Sequence, residues 1–212
     1  MFISRLEIPW QNARNPYELH RHIWRLFPGA EKEARQAEVQ DRSGFLFRIE
    51  DYRAGRPVRL LVQSRLQPQP VPGLALLGMR EFDPRPQAGQ HLAFILTANP
   101  IKTITDQQAD GKPRKRADKH GNFKCRVPLI DEDEQRSWLT AKLADVAELG
   151  ETTVLPHPPV YFRKEGRGGK LVTVTFEGNL WVKEPERFVN FLQNGVGPAK
   201  SFGCGLLLVR RV

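Results

Sequence analysis

Cysteine is nearly absent from this 212-residue chain. The two that occur, Cys125 and Cys204, form no CxxC pair and have no histidines at ligand spacing beside them. The sequence therefore predicts neither a disulfide scaffold nor a zinc site, and fits a reducing compartment. Long apolar runs are also missing. No stretch approaches the roughly 18 residues that span a bilayer. The opening MFISRLEIPW has neither a basic leader nor an uninterrupted apolar segment, so no secretory signal is read there. These absences predict a soluble, cytoplasmic protein that does not span a membrane. The glycine-rich segment 195–205 lacks the GxxxxGK[ST] pattern of a phosphate-binding Walker loop and the strand-GxGxxG-helix order of a dinucleotide site, which gives little support to a nucleotide cofactor.

Positive charge is plentiful. Lys and Arg number 33 against 24 Asp and Glu, a formal charge of +9, and the isoelectric point is near 9.9. That balance makes nucleic acid the leading partner and an anionic membrane surface the second. Hydrophobic residues make up 40% of the chain, enough for a packed core in one large or two small domains.

Periodicity divides the chain into two similar halves. Phe2 to Ile8 alternates as a strand, and a helix follows from Asn15-Pro16-Tyr17-Glu18. There Asn15 caps, Pro16 suits the first turn and Glu18 reaches back. The helix should stop near Phe27-Pro28-Gly29. Residues 44–50, 57–64 and 74–82 read as strands. The stiff run Asp83-Pro84-Arg85-Pro86-Gln87-Ala88-Gly89 predicts a linker, dividing the chain into residues 1–85 and 86–212. The second half begins with a strand at His91 to Ala98 and enters a helix at the acids Asp131 to Glu134, with Leu139, Leu143 and Val146 inward. Strands at 160–163 and 170–182, a helix at 185–194 and a strand at 206–210 complete a β-α-β-β-α-β order. Two such units predict an α+β chain of tandem ferredoxin-like (RRM-like) domains with antiparallel sheets.

On the first helix, Leu19, Ile23 and Leu26 share one arc, and Tyr17, His20 and Trp24 share the adjoining one. Tyr17 and His20 are thus neighbours at the edge of the buried face. Arg21 is close enough for a phenol, an imidazole and a guanidinium to converge on one ligand. His22 points away. An imidazole can exchange a proton as a ribose 2′-hydroxyl attacks the adjacent phosphate, and a guanidinium can stabilise the added charge. Spacing alone also allows His20 to be a satisfied boundary residue.

The loop holding Gly195, Gly197, Ser201, Gly203 and Gly205 can press on a phosphate backbone or merely end a helix. Lys112, Arg114, Lys115, Arg116, Lys119, Lys124 and Arg126 form one basic cluster. Arg163, Lys164, Arg167 and Lys170 surround a turn with three glycines. Each cluster suits RNA phosphates, and each is also what a solvated loop looks like.

In order along the chain stand Asn15-Pro16-Tyr17-Glu18-Leu19-His20-Arg21, Ala98-Asn99-Pro100-Ile101-Lys102, Cys125-Arg126-Val127-Pro128-Leu129, Phe176-Glu177-Gly178 and the glycine-rich segment 195–207. Together these resemble the CasE family of CRISPR-associated endoribonucleases, within the RAMP superfamily, over nearly the whole chain. The resemblance implies a nuclease that binds the stem-loop of a CRISPR repeat, cuts at the 3′ base of the stem without a metal or other cofactor, and keeps the mature CRISPR RNA while joining the other Cascade subunits. It implies that His20 is the catalytic histidine, Tyr17 its support and the glycine-rich loop the family hallmark. Arg21 matches a basic position found in some members, and Lys200 is the alternative cation for the scissile phosphate. Lys102 and the hairpin cations are expected on RNA by location and charge. Two other readings stay open: a non-catalytic RNA-binding subunit of the same superfamily, and an enzyme that binds a phosphorylated metabolite through the glycine loop.

Overall fold

The computed structural model describes residues 1–29, 44–105, 124–164 and 166–212. Lys112, Arg114, Lys115, Arg116 and Lys119 lie outside the described residues.

Strand β1 (Phe2–Ile8) buries Ser4, Leu6 and Ile8 on one face, as its alternation dictates. It is followed by a one-turn helix α1 (Trp10–Ala13), then α2 (Pro16–Trp24), whose first turn is capped by the Asn15 side chain accepting from the Tyr17 amide. Strands β2 (Phe45–Asp51), β3 (Val58–Ser64) and β4 (Ala75–Glu81) complete an antiparallel sheet in the order β2-β3-β1-β4. Leu19 and Ile23 of α2 pack on Leu6, Leu60, Val62 and Phe47, and all of them are withdrawn from solvent. This is the ferredoxin-like strand order, but residues 65–74 join β3 to β4 without a helix.

The second sheet repeats the order as β12-β5-β11-β8. Its strands are β5 (His91–Ala98), β8 (Ala147–Pro156), β11 (Val174–Val182) and β12 (Leu207–Arg211). Helices α3 (Glu132–Leu143) and α4 (Pro185–Asn194) cover one face. Leu139, Leu143, Phe188 and Leu192 seat on Leu96, Phe176 and Leu180, so both helices of a ferredoxin-like unit are present here. Two hairpins project from the frame. One pairs β6 (Ile101–Thr105) with β7 (Lys124–Pro128), and the other pairs β9 (Val160–Lys164) with β10 (Arg167–Leu171).

The strand expected at 160–163 is therefore not the second strand of the unit. That place belongs to β8, an edge strand that buries only Ala147 and Val154 and so shows little hydrophobic alternation. The single strand expected over 170–182 is two, β10 in the projecting hairpin and β11 in the sheet.

The faces not covered by helices meet across a cleft of about 450 Å³. Ile3, Arg5, Leu61 and Met79 line it from the first sheet and Leu208 from the second. Burial holds the Arg48 guanidinium of β2 below its ordinary range, opposed by Glu177 of β11. Among the described residues no helix is long and apolar enough to cross a membrane.

Candidate active site

Two segments distant in sequence meet on α2. The hairpin β9–β10 brings Phe162, whose ring lies nearly parallel to that of Tyr17 at 6.4 Å between centres. A 3-10 turn at Lys200–Phe202, inside the glycine-rich loop, brings Phe202 to 5.9 Å from Tyr17 and 4.5 Å from Phe162. Lys164 sets its ammonium 5.4 Å from the centre of the Tyr17 ring, within cation-π range. Tyr17 is thus held on two sides by aromatic rings and faces a cation.

His20 stands one turn further along α2. Its half-buried ring lies 5.0 Å from Phe45 and meets Trp24 edge-on at 5.9 Å. The apolar walls limit the ring's orientation, and Tyr17 and His20 share one helix edge, as their three-residue spacing requires. His22, on the other side, is held below the ordinary histidine range by burial and then by Arg25.

The two cations expected at the phosphate are placed differently from one another. Arg21 pairs with Glu18 at 2.9 Å on the exposed side of α2, where its side chain is 71% accessible. Lys200 donates from Nζ to the backbone oxygen of Asn194 at 2.5 Å, and burial lowers its pKa. Lys164 is the cation set directly on Tyr17. On β6, Lys102 pairs with Glu134 at 2.7 Å, an exposed contact that adds little to stability.

Arg163, Lys164, Arg167 and Lys170 are all exposed on the β9–β10 hairpin. An open groove of about 660 Å³ runs between this hairpin and the start of α2, lined by Arg14, Asn15, Tyr161, Phe162, Arg163 and Lys170. Its cations suit a phosphate backbone.

The glycine-rich loop is shaped by what it packs against. Gly195 has a φ of +72°, and a Cβ there would stand 2.7 Å from the Leu46 side chain. Gly203, with φ +83°, is buried over Phe47 and Ile49. Gly197 faces Trp138, and the buried Gly205 faces the Val196 backbone. Several loop amides donate inward: Val196 to the Gly205 oxygen, Phe202 and Cys204 to Ala199, Gly203 to Lys200, and Gly205 to Thr97. Ser201 is half-buried on the 3-10 turn. The glycines therefore let the loop seat between the two sheets and present Phe202 to Tyr17.

Local sequence does not mark Phe162 or Phe202 as site residues. Only the glycines around them, among them Gly169, on which the Phe162 ring rests, hint at close packing. Among the described residues no three His, Cys, Asp or Glu side chains gather into a metal-ligating group.

The profile of the family described as "CRISPR associated protein" matches residues 1–211. The CRISPR system Cascade subunit CasE of Escherichia coli (strain K12) is 38% identical over 208 residues, covering 98% of each chain. The crystal structure of the CRISPR-associated protein Cas6e from Escherichia coli str. K-12 superposes with a TM-score of 0.81 at 35% identity, covering 100% of both chains. A structure of the CRISPR endoribonuclease Cse3 bound to 19 nt RNA matches with a TM-score of 0.76 at 29% identity, covering 99% of this chain and 100% of that one. With motifs, strand order and length in agreement, the chain belongs to the CasE family of CRISPR-associated proteins.

Proposed function

We propose that this chain is a metal-independent endoribonuclease that binds the stem-loop of a CRISPR repeat and cuts precursor CRISPR RNA at the 3′ base of the stem. The observation that carries this reading is the convergence of the basic hairpin and the glycine-rich loop on the helix edge shared by Tyr17 and His20. It is supported by relatives named as a Cascade subunit and as a CRISPR endoribonuclease bound to RNA. The work divides along the chain: residues 1–85 carry the catalytic helix, and residues 86–212 carry the hairpin and the loop.

The reaction is an internal transfer. The ribose 2′-oxygen forms a bond to the adjacent phosphorus, and the bond from phosphorus to the 5′-oxygen breaks. This leaves a 2′,3′-cyclic phosphate and a 5′-hydroxyl, with no water consumed. His20 moves a proton on this path, from the 2′-hydroxyl or to the leaving 5′-oxygen. Tyr17 fixes the attacking ribose or shares that proton work. Lys164, beside Tyr17, joins Arg21 and Lys200 as a source of positive charge for the phosphorane. Arg163, Arg167, Lys170 and Lys102 follow the RNA backbone. Gly195, Gly197 and Ser201 approach it from the loop, whose shape depends on the buried Gly203 and Gly205. The product stays bound as the protein joins the other Cascade subunits in the cytoplasm.

The test is incubation of the wild type and His20→Ala with the host's repeat RNA in EDTA, followed by end-group analysis. The expected result is one cut bearing a cyclic phosphate, slowed about 10²–10⁴-fold in the variant while binding persists. Cleavage of a substrate carrying a single 2′-deoxyribose at the cut site overturns the mechanism. Binding without cutting in both proteins makes the chain an RNA-binding subunit instead.

A further inference from the structure

Asn15 does more than begin a helix. Its Oδ1 accepts from the Tyr17 amide at 3.4 Å, as an N-cap does. The same carboxamide also reaches 148 residues along the chain to the hairpin. Nδ2 donates to the Arg163 oxygen at 2.8 Å, and Oδ1 accepts from the Arg163 amide at 3.2 Å. Both backbone groups of Arg163 leave the free edge of β9 and end on one side chain, in the pattern by which a neighbouring strand would pair.

The clamped residue lies between the two that touch Tyr17. Side chains alternate along a strand, so Phe162 and Lys164 share the face opposite Arg163, and both meet the Tyr17 ring. Fixing the Arg163 backbone therefore fixes the two hairpin partners of Tyr17 and leaves the Arg163 side chain to the groove. We infer that Asn15 is a positioning residue for RNA cleavage, locking the RNA-binding hairpin in register with the helix that bears Tyr17 and His20. The inference rests on the nuclease reading given above.

Asn15→Asp separates the two roles. Aspartate caps a helix as well as asparagine and still accepts from both amides, but it has no N–H for the Arg163 oxygen and sets a carboxylate against it. A role in capping alone predicts unchanged behaviour. Positioning predicts a single-turnover rate at saturating repeat RNA that falls about 10- to 100-fold, the range of a misplaced reacting group. In the uncharged variant Asn15→Ser, RNA affinity should change less than about threefold, since no phosphate contact is removed and no charge is added, and thermal stability should hold. Hydrogen exchange at the Arg163 amide should quicken in Asn15→Ser, which loses that acceptor as well. Asn15→Ser, which caps but is too short to span to β9, should reproduce the rate loss.

A wild type that cuts beside Asn15→Asp and Asn15→Ser variants that cut at full rate removes the positioning role and leaves the nuclease intact. Equal losses of affinity and rate also overturn it, because the hairpin would then act through binding alone. A wild type that binds repeat RNA without cutting it removes both readings.

Discussion

Gly203 shows how much of the site depends on a residue without a side chain. Its φ of +83° costs an L-residue about 1–2 kcal/mol, and a Cβ there would stand 3.1 Å from Phe47 and 3.2 Å from Ile49. Gly203→Ala should therefore lower the melting temperature and, by moving the adjacent Phe202 off Tyr17, slow cleavage more than it weakens RNA binding. An unchanged melting temperature would show that the loop relaxes freely. The next residue gives a pH dependence. Burial pushes the Cys204 thiol from its ordinary value near 9 up to about 12. An acid whose pKa is raised on folding contributes stability that is complete below the unfolded value and is lost as pH rises through the folded one. Between pH 9 and 12, the wild type should thus lose more stability than Cys204→Ala, as followed by denaturant melts. Parallel curves would mean that the thiol is not sequestered. Tyr17 and His20 were legible because helical spacing alone puts them on one edge. Phe162 and Phe202 were not, since nothing within a few residues of either records contact with a helix near the other end of the chain.

Among the elements, those whose signals are local were read to within a residue or two. β1 and β5 alternate, and α4 opens on Pro185 and ends at a glycine with positive φ. α3 carries its own start signal, because Oδ1 of Asp131 accepts from the amides of Asp133 and Glu134, both at 3.0 Å. Asp131→Ala should cost about 0.5–2 kcal/mol, read as a lower midpoint in urea, with Asp131→Asn recovering most of it. Equal losses in the two variants would show that charge, not the cap bonds, is what counts. β8 was not read because its outer edge is unpaired and its pattern is broken at Gly150, over which the Trp181 ring lies. The β9–β10 hairpin was visible as a turn, but its departure from the sheet is a property of topology.

At the scale of the molecule, the question is what keeps the two sheets in the arrangement that assembles the site. A large part of the answer lies at the carboxyl end of α4, whose last carbonyls have no partner within the helix. Gly195 donates to the Phe191 oxygen, Lys200 to that of Asn194, and Nε2 of the buried Gln63, on β3 of the first sheet, to that of Leu192 at 2.8 Å. Arg65 adds a bond to the Asn194 side chain at 3.1 Å. The helix is thus capped across 129 residues by the other sheet, and the glycine-rich loop starts where that cap ends. Gln63→Leu keeps the volume but leaves the Leu192 oxygen buried without a donor, which costs about 1–3 kcal/mol. In a protein of this size each kcal/mol corresponds to roughly 2–4 °C in melting temperature. Because the contact lies between the sheets, the loss should also reach the loop, reducing protection of the Val196 and Gly205 amides in hydrogen exchange while the core of the first sheet keeps its own. A lowered melting temperature with unchanged loop protection would mean that Gln63 only stabilises, and that some other contact holds the loop against Tyr17.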